Sequence, residues 1–210
     1  MSAREQELFA LDQNVSRETV EKLQVYENLL IKWTSKINLI AKSTASQIWS
    51  RHFLDSAQVF QAIPETAERL IDFGSGGGFP GLVIAAMATE KRPELSVSLV
   101  ESDVRKSAFL TTAAREMGLN VTVFAERVEN IPSQNADVVT ARALAPLSDL
   151  FEMTKTHMSA DGTGLFLKGA QHQLELDTAS QMWEFHVEKQ TSATNSESAL
   201  LAITGLKRAT

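Results

Sequence analysis

Hydrophobic residues recur with a helical period in the first third of the chain. The apolar positions follow three-, four- and seven-residue steps at Val20, Leu23, Leu30, Trp33 and Ile37. This spacing places them on one face of a helix, and Ser16 is suited to cap its first turn. A second helix is predicted from about residue 46 to residue 62, ahead of Pro64. Residues 1–63 are therefore expected to form a helical extension without strands.

Short apolar runs alternate with helical segments in the rest of the chain. Strands are predicted at 70–73, 96–100, 121–124, 137–140, 165–167, 185–187 and 199–203. Helices are predicted at 80–89, 103–117 and 146–158, the last ending near Gly162, and from about His172 onward. The alternation is typical of a parallel sheet covered by helices on both faces. The last two strands leave no room for a helix between them, so we expect them to pair antiparallel.

The first predicted strand runs into a glycine-rich loop. Residues 74–81 read Gly-Ser-Gly-Gly-Gly-Phe-Pro-Gly, and these glycines let a ligand approach the backbone where the chain reverses. Pro80 suits the first position of the following helix. A dinucleotide fingerprint needs a third glycine where Phe79 stands, and the P-loop motif is absent. Asp72 precedes the loop, and Glu101 ends the next strand, where a carboxylate can accept both ribose hydroxyls of an adenosine.

This arrangement of strand, glycine loop, helix start and acidic residue resembles the cofactor loop of class I S-adenosylmethionine (SAM) methyltransferases. The resemblance implies a Rossmann-like α/β fold with a seven-stranded, mostly parallel sheet that ends in an antiparallel hairpin. A dinucleotide-binding fold keeps its sixth strand parallel. We expect a single methyltransferase domain over residues 1–210, with 1–63 as the N-terminal helical extension and 64–210 as the SAM-binding core.

Composition narrows the class of protein. A chain of 210 residues that is 43% hydrophobic can bury a large core. It contains no cysteine, and none of its four histidines lies in a chelating pair, so we expect no metal. It shows no apolar leader and no uncharged run of 18 residues, so we expect a cytoplasmic protein that does not associate with membranes. A net charge of −6 restricts RNA contacts to a local patch.

Missing motifs narrow the identity of a methyl acceptor. Pyrimidine C5 methylation generally needs a cysteine nucleophile, which this chain lacks. Exocyclic-amine methyltransferases carry an N/D-P-P-Y/F motif after the fourth strand, where residues 140–146 here read Thr-Ala-Arg-Ala-Leu-Ala-Pro. Guanine N7 already presents a free lone pair and needs no deprotonation. A site for it could work by alignment and electrostatics alone.

Motifs over nearly the whole chain are similar to those of the RsmG (GidB) family, bacterial methyltransferases that modify guanine N7 in small-subunit ribosomal RNA. They comprise Asn38-Leu39, Arg51-His52-Phe53-Leu54-Asp55-Ser56, residues 74–81, Arg127-Val128-Glu129, Ala141-Arg142-Ala143 and Leu167-Lys168-Gly169. The sequence departs from many relatives at Gly77, where proline is common, and at Glu101, where aspartate is common. The resemblance implies methyl transfer from SAM to a guanine N7 in 16S ribosomal RNA.

The resemblance also implies which residues form the site. SAM contacts are expected from Asp72, Gly74, Ser75, Gly76, Gly78, Phe79, Glu101, Val128, Glu129 and Arg142, with Glu101 on the ribose and Val128 and Glu129 beside the adenine. Arg142 and Lys168 are the catalytic candidates. RNA contacts are expected from Arg51, Arg105, Lys106 and Lys168. We further expect Arg105, Lys106, Arg142 and Lys168 to form one positive rim at the carboxyl ends of the strands.

Several alternatives stay open. Arg51, His52 and Asp55 could equally form a structural hydrogen-bond network, and Arg105 and Lys106 could be solvated charges. A nicotinamide oxidoreductase on a Rossmann fold is a second function class, disfavoured by Phe79 and by the terminal hairpin. A non-catalytic SAM- or RNA-binding module is a third. The expected partner is small-subunit ribosomal RNA, either free or in an assembling subunit, and we expect a monomer.

Overall fold

The computed structural model describes residues 3–209 apart from the side chain of Lys42. It begins with two helices, α1 (Ala3–Gln13) and α2 (Arg17–Thr34). The Ser16 hydroxyl accepts a hydrogen bond from the Thr19 amide at 3.2 Å, so the predicted cap of α2 is confirmed. The predicted stripe is confirmed as well, with Val20, Leu23 and Leu30 buried and Trp33 and Ile37 packed partly buried against the same core.

The second predicted helix has two parts of different geometry. Residues Ile48–Phe53 form a π-helical turn, which continues directly into α3 (Leu54–Gln61). Four of its six residues are buried, among them the polar His52. The apolar pattern predicted the helix but carries no signal for its wider first turn. Such π turns occur often at functional sites.

Seven strands form one sheet. They are β1 (Arg69–Phe73), β2 (Ser96–Val100), β3 (Val121–Phe124), β4 (Ala136–Arg142), β5 (Met158–Lys168), β6 (Trp183–Thr191) and β7 (Ala199–Arg208). Their order is β3-β2-β1-β4-β5-β7-β6. Strands β1 to β5 are parallel, whereas β7 pairs antiparallel with both β5 and β6. The predicted antiparallel hairpin at the end of the sheet is therefore confirmed.

Four helices follow the strands: α4 (Gly81–Lys91), α5 (Val104–Glu116), α6 (Leu147–His157) and α7 (His172–Ala179). Asp103 caps α5 by accepting from the amides of Arg105 and Lys106, at 2.8 and 3.2 Å. Helix α4 begins one residue later than predicted, with Pro80 at its N-cap position.

The predicted last residue of α6, 158, is one residue beyond its observed end, but the predicted helix end near Gly162 is wrong. This helix ends at His157, and β5 begins at the next residue, so Gly162 lies within a strand. The first half of β5 is polar and glycine-containing, which hid it from a search for apolar runs. A Cβ atom at Gly162 would lie 3.1 Å from the Ala136 carbonyl oxygen of the neighbouring strand. The glycine is therefore needed for close strand pairing.

Two apolar cores lie on opposite faces of the sheet. Leu70 of β1 faces α2 to α5, and the next residue, Ile71, faces α6 and α7. The N-terminal helices share the first core with α4 and α5; Tyr26 of α2, for example, packs on Phe79 and Phe109. Whether residues 1–210 behave as a single domain stays a prediction. Within residues 3–209, no helix combines the length and apolar character needed to cross a membrane.

Candidate active site

The glycine loop lies at the carboxyl end of β1, between β2 and β4. The backbone φ angle is +61° at Gly74, +55° at Gly76 and +96° at Gly78, a region that favours glycine. A Cβ atom at Gly74 would also lie 2.5 Å from the Leu144 side chain. The Ser75 amide donates to the Val100 carbonyl oxygen at 3.0 Å, which ties the loop to β2. The backbone conformation therefore favours glycines here, and a side chain at Gly74 would also displace Leu144.

Glu101 connects the loop to the end of β2. One of its carboxylate oxygens accepts from the Gly76 amide at 2.9 Å, and the other accepts from the Asp103 amide at 2.8 Å. The side chain is buried and forms part of a cavity wall. A carboxylate has about four lone-pair positions, so these two bonds leave further acceptor capacity toward the cavity.

Asp72 lies beneath the loop instead of on the cavity wall. Its carboxylate accepts from the Thr140 hydroxyl at 2.8 Å and from the Gly81 amide at 3.3 Å, which joins β1, β4 and the start of α4. Burial raises the pKa of Asp72 to about 6, against hydrogen bonds and the charge of Arg142, which lower it. The carboxyl group therefore supports the loop from behind, and the predicted SAM contact stays untested.

The first cavity, of about 820 Å³, opens in front of the loop. Five predicted cofactor residues line it: Gly74, Gly76, Glu101, Val128 and Glu129. Four other predicted residues, Asp72, Ser75, Gly78 and Phe79, are not on its wall, and Arg142 lines a different cavity. His157, which the sequence analysis missed, donates from Nε2 to the Val128 carbonyl oxygen at 3.0 Å. It thereby holds the segment that was expected to flank the adenine.

The charge of the first cavity is mainly negative. Its wall includes the carboxylates of Glu101, Glu126, Glu129 and Asp149 and the cations Lys106 and Arg127. A fifth carboxylate, from Glu152, forms an ion pair with Arg208. A cavity with this balance attracts a cationic ligand more strongly than an anionic one.

A second cavity, of about 620 Å³, lies beside the first. Residues Ala143, Leu144 and Ala145 line both cavities, so the segment after β4 separates them. Ala143 adopts a φ of +52°, which is uncommon for a residue other than glycine. Arg142 precedes this segment and lines the second cavity, with its guanidinium 4.7 Å from the centre of the Phe79 ring.

The N-terminal extension supplies much of the wall of the second cavity. His52 contacts Arg142 with its Nδ1 atom 3.0 Å from Nη1. Asp55 accepts from the Ser192 hydroxyl at 3.0 Å and from the Thr194 hydroxyl, both in the loop between β6 and β7. Arg51 is exposed at the cavity wall. The three neighbouring polar residues therefore have different surroundings.

Tyr26 is another contact that the sequence analysis missed. This residue is the chain's one tyrosine, and its hydroxyl donates to the Gly77 carbonyl oxygen. Its position on the buried face of α2 predicts only a core residue. The hydrogen bond to Gly77 depends on how α2 packs on the glycine loop, which the sequence pattern does not reveal. The helical extension therefore holds the loop directly.

Lys168 is buried and forms an ion pair with Glu175, which is partly exposed. Its ammonium group donates to Glu175 at 2.7 Å and to the Ala145 carbonyl oxygen at 2.6 Å. The same Glu175 oxygen accepts from the Leu147 amide at 2.9 Å. This network holds the carboxyl end of residues 143–145, where the segment enters α6. Lys168 lines the second cavity, but it is buried and does not extend freely toward a phosphate.

The four cations expected to form one positive rim do not lie together in the structure. Lys106 lines the first cavity, whereas Arg142 and Lys168 line the second. Arg105 lies on neither wall and contacts Asp103 at 3.4 Å at the exposed start of α5. The carboxyl ends of the strands do meet at one edge of the sheet, but the segment after β4 divides their side chains.

Comparison with known proteins identifies the family. The sequence model of GidB, described as rRNA small subunit methyltransferase G, matches residues 19–202. The ribosomal RNA small subunit methyltransferase G of Ruegeria sp. (strain TM1040) is 46% identical over 198 residues, which cover 94% of this chain and 96% of that protein. The chain belongs to this family. A methyltransferase G from Cereibacter sphaeroides is 50% identical over 190 residues, covering 90% and 91% of the two chains.

The fold agrees with membership in the methyltransferase G family. A SAM-dependent methyltransferase from Aquifex aeolicus superposes with a TM-score of 0.57 at 16% identity, covering 73% of this chain and 92% of that chain. The predicted Rossmann-like class I fold is therefore confirmed. Among residues 3–209, no group of three or more His, Asp or Glu side chains has an arrangement that could hold a metal ion. The individual site residues stay predictions.

Proposed function

We propose that this protein transfers the methyl group of SAM to N7 of a guanine in the 16S ribosomal RNA of the small subunit. The observation that supports this proposal most strongly is the pair of adjacent cavities that share residues 143–145. One cavity lies against the glycine loop and is acidic, and the other presents Arg142. Family membership supports the reaction, and the two cavities supply separate places for the methyl donor and the methyl acceptor.

The first cavity fits SAM in both shape and charge. The glycines bring the backbone close to the cavity, and Glu101 offers free acceptor positions for ribose hydroxyls. SAM carries a sulfonium, an ammonium and a carboxylate, so its net charge is positive and suits an acidic wall. A nicotinamide dinucleotide carries an anionic pyrophosphate, which this wall would repel. The cavity therefore favours the methyltransferase over the oxidoreductase.

The second cavity fits a purine whose methylation needs no catalytic group to remove a proton. Bound SAM supplies an electrophilic methyl group on a positively charged sulfur, and the N7 lone pair can attack it without losing a proton. The lone pair must then stay free, so Arg142 cannot donate to N7 during the reaction. Its guanidinium can instead donate to O6, the other acceptor on that edge of guanine. Arg142 would thereby align the base without blocking the reacting atom.

Contacts with the rest of the RNA are proposed for the surface around the second cavity. Arg51 is exposed on this wall, and Lys36 is exposed in the turn after α2, from which Leu39 and Ile40 reach the same wall. These cations would contact phosphates and make binding depend on salt concentration. We further propose that the enzyme binds this RNA as a monomer in the cytoplasm. The choice between free RNA and an assembling subunit is decided by experiment.

The test is methyl transfer from labelled SAM to 16S RNA, offered free and in small subunits, followed by mapping of the product. Methylation at a guanine N7 supports the proposal, and SAM binding without transfer would indicate a non-catalytic module. Arg142→Ala should lower kcat by about 10²-fold, because a misplaced base reacts slowly. SAM affinity should stay near that of the wild type. Arg115→Ala is the matched control, since Arg115 is exposed and contacts only its neighbour Glu116.

A further inference from the structure

His52 is the polar side chain that contacts Arg142 inside the second cavity. It lies in the π-helical turn with only 7% of its surface exposed. Its ring stacks on Phe79 with centroids 4.9 Å apart and an interplanar angle of 25°. The Arg142 guanidinium lies over the same Phe79 ring. One aromatic ring therefore supports both side chains.

The direction of each hydrogen bond in this network follows from what each group can donate. A guanidinium only donates, so its contact with His52 Nδ1 at 3.0 Å requires a lone pair on that nitrogen. The proton of the neutral ring then lies on Nε2, which donates to the Thr44 hydroxyl at 2.9 Å. The Thr44 hydroxyl in turn donates to the Ala41 carbonyl oxygen at 3.0 Å. One imidazole tautomer therefore connects Arg142 to the backbone after α2.

The ring stays neutral at physiological pH. Burial, together with the charges of Arg142 and Arg51, lowers the pKa of His52 to about 3. A protonated ring would turn an N–H toward the guanidinium and break the contact. The acceptor at Nδ1 is therefore present over the whole range in which such an enzyme is assayed.

A neutral acceptor has a consequence for the charge of Arg142. None of the ion pairs among the described residues involves Arg142. A carboxylate in the position of His52 would orient the guanidinium but would also offset its charge. The imidazole orients it through one of its five N–H groups without adding to the nearby negative charge of Asp55 and Asp72, and it leaves the other donors for a ligand.

We propose that His52 is a positioning residue that holds the Arg142 guanidinium over Phe79, with its remaining donors directed to the target base. This inference rests on the proposed function, because it assigns a role to His52 through Arg142. His52 does not touch the reacting atoms. Loss of its Nδ1 acceptor should therefore lower kcat while leaving the affinities for SAM and RNA nearly unchanged.

Three substitutions separate this role from packing. His52→Phe keeps the ring on Phe79 but removes both nitrogens. His52→Asn keeps an acceptor near the position of Nδ1, and His52→Gln places its amide near the position of Nε2 and has no acceptor at the position of Nδ1. We expect kcat to fall by about 10- to 100-fold in His52→Phe and His52→Gln, and His52→Asn to recover most of it. His186→Phe, on the exposed face of β6, is the matched control.

A double-mutant cycle gives the deciding readout. If His52 acts through Arg142, His52→Phe should lower kcat in the wild type but not further in the Arg142→Ala background. Additive losses, a wild-type kcat in His52→Phe, or recovery by His52→Gln instead of His52→Asn would overturn the inference. KM for the RNA substrate and the Kd for SAM should stay within about twofold of wild type.

A spectroscopic measurement keeps the inference testable if the proposed function fails or if His52→Phe does not fold. In the wild-type protein without ligands, nitrogen NMR should show His52 protonated on Nε2 from pH 5 to pH 8. A proton on Nδ1, or titration near the ordinary pKa of 6.5, would overturn the inference. Wild-type protein that binds SAM but transfers no methyl group would overturn the proposed function instead and leave this tautomer measurement valid.

Discussion

Glu101→Ala tests the cofactor site most directly. The Glu101 carboxylate bonds to the amides of Gly76 and Asp103, and it has further acceptor capacity toward the first cavity. Two hydrogen bonds to ribose hydroxyls, each worth roughly 1.5–3 kcal/mol with a charged acceptor, would be lost in the variant. Their sum corresponds to a SAM affinity weakened by about 10²- to 10⁴-fold.

The effect on stability should be smaller. The variant also loses the bonds to the Gly76 and Asp103 amides, but both groups lie beside an open cavity, where water can replace the carboxylate. We expect the free energy of unfolding to fall by about 1–2 kcal/mol. Titration calorimetry with SAM measures the affinity, and chemical denaturation verifies that each variant is folded.

Two further variants show which property of Glu101 matters. Glu126→Ala removes one carboxylate from the same cavity without touching the glycine loop, so it measures the effect of charge alone and should weaken SAM binding by less than about tenfold. Glu101→Gln keeps the length but loses the charge and should fall between the wild type and Glu101→Ala. A folded Glu101→Ala variant that binds SAM within twofold of the wild type would refute the reasoning.

The other predictions concern two buried groups. Asp72 has a folded-state pKa of about 6 against an ordinary 3.8, so its contribution to stability is fully present below pH 3.8 and is lost as pH rises through 6. The stability of Asp72→Asn relative to wild type should therefore increase by about 2.5 kcal/mol between pH 4 and pH 8, measured by urea denaturation. Lys168→Met should destabilise the protein by about 1–3 kcal/mol, because Glu175 loses its ion pair but keeps the Leu147 amide and contact with solvent, and Lys168→Met with Glu175→Met should restore part of this loss. The salt dependence of kcat/KM should not change in this double variant; a flattened dependence would show that Lys168 contacts phosphate after all.

Much of the fold could be predicted from the sequence because its central strands are buried on both faces. Such strands appear as short apolar runs, and the bounds of β2 were predicted correctly. The bounds of β3, which lies at the edge of the sheet and is only partly buried, were also predicted correctly. The first half of β5 could not be predicted in the same way. Its polar residues gain their strand conformation from pairing with β4, a contact that is distant in the sequence.

The backbone of the candidate site could be predicted from the sequence, whereas the roles of its residues stay predictions. The positive φ angles of the loop follow from its glycines, and Glu101 could be placed because it ends a strand beside them. The partners of long side chains could not be predicted. Lys168 lies at the end of β5 whether it contacts RNA or forms an ion pair, so its position in the sequence does not distinguish the two roles. Only the packing of α7 brings Glu175 close to it. His52 likewise finds Arg142 through the docking of the extension on the sheet.

The separation of the cavities explains how an acidic protein can act on a polyanion. Part of the net charge of −6 lies in carboxylates that face the first cavity, where a cationic cofactor is expected. Charges separated by more than about 8–10 Å through water are largely screened at physiological salt. Arg51 and Arg142 line the other cavity, on the far side of residues 143–145. The lining of that cavity also includes the carboxylate of Asp55 and the ion pair of Lys168 with Glu175, so it has a net positive charge. The negative charge that would hold SAM therefore need not repel the RNA, provided that the RNA approaches from the side of the second cavity.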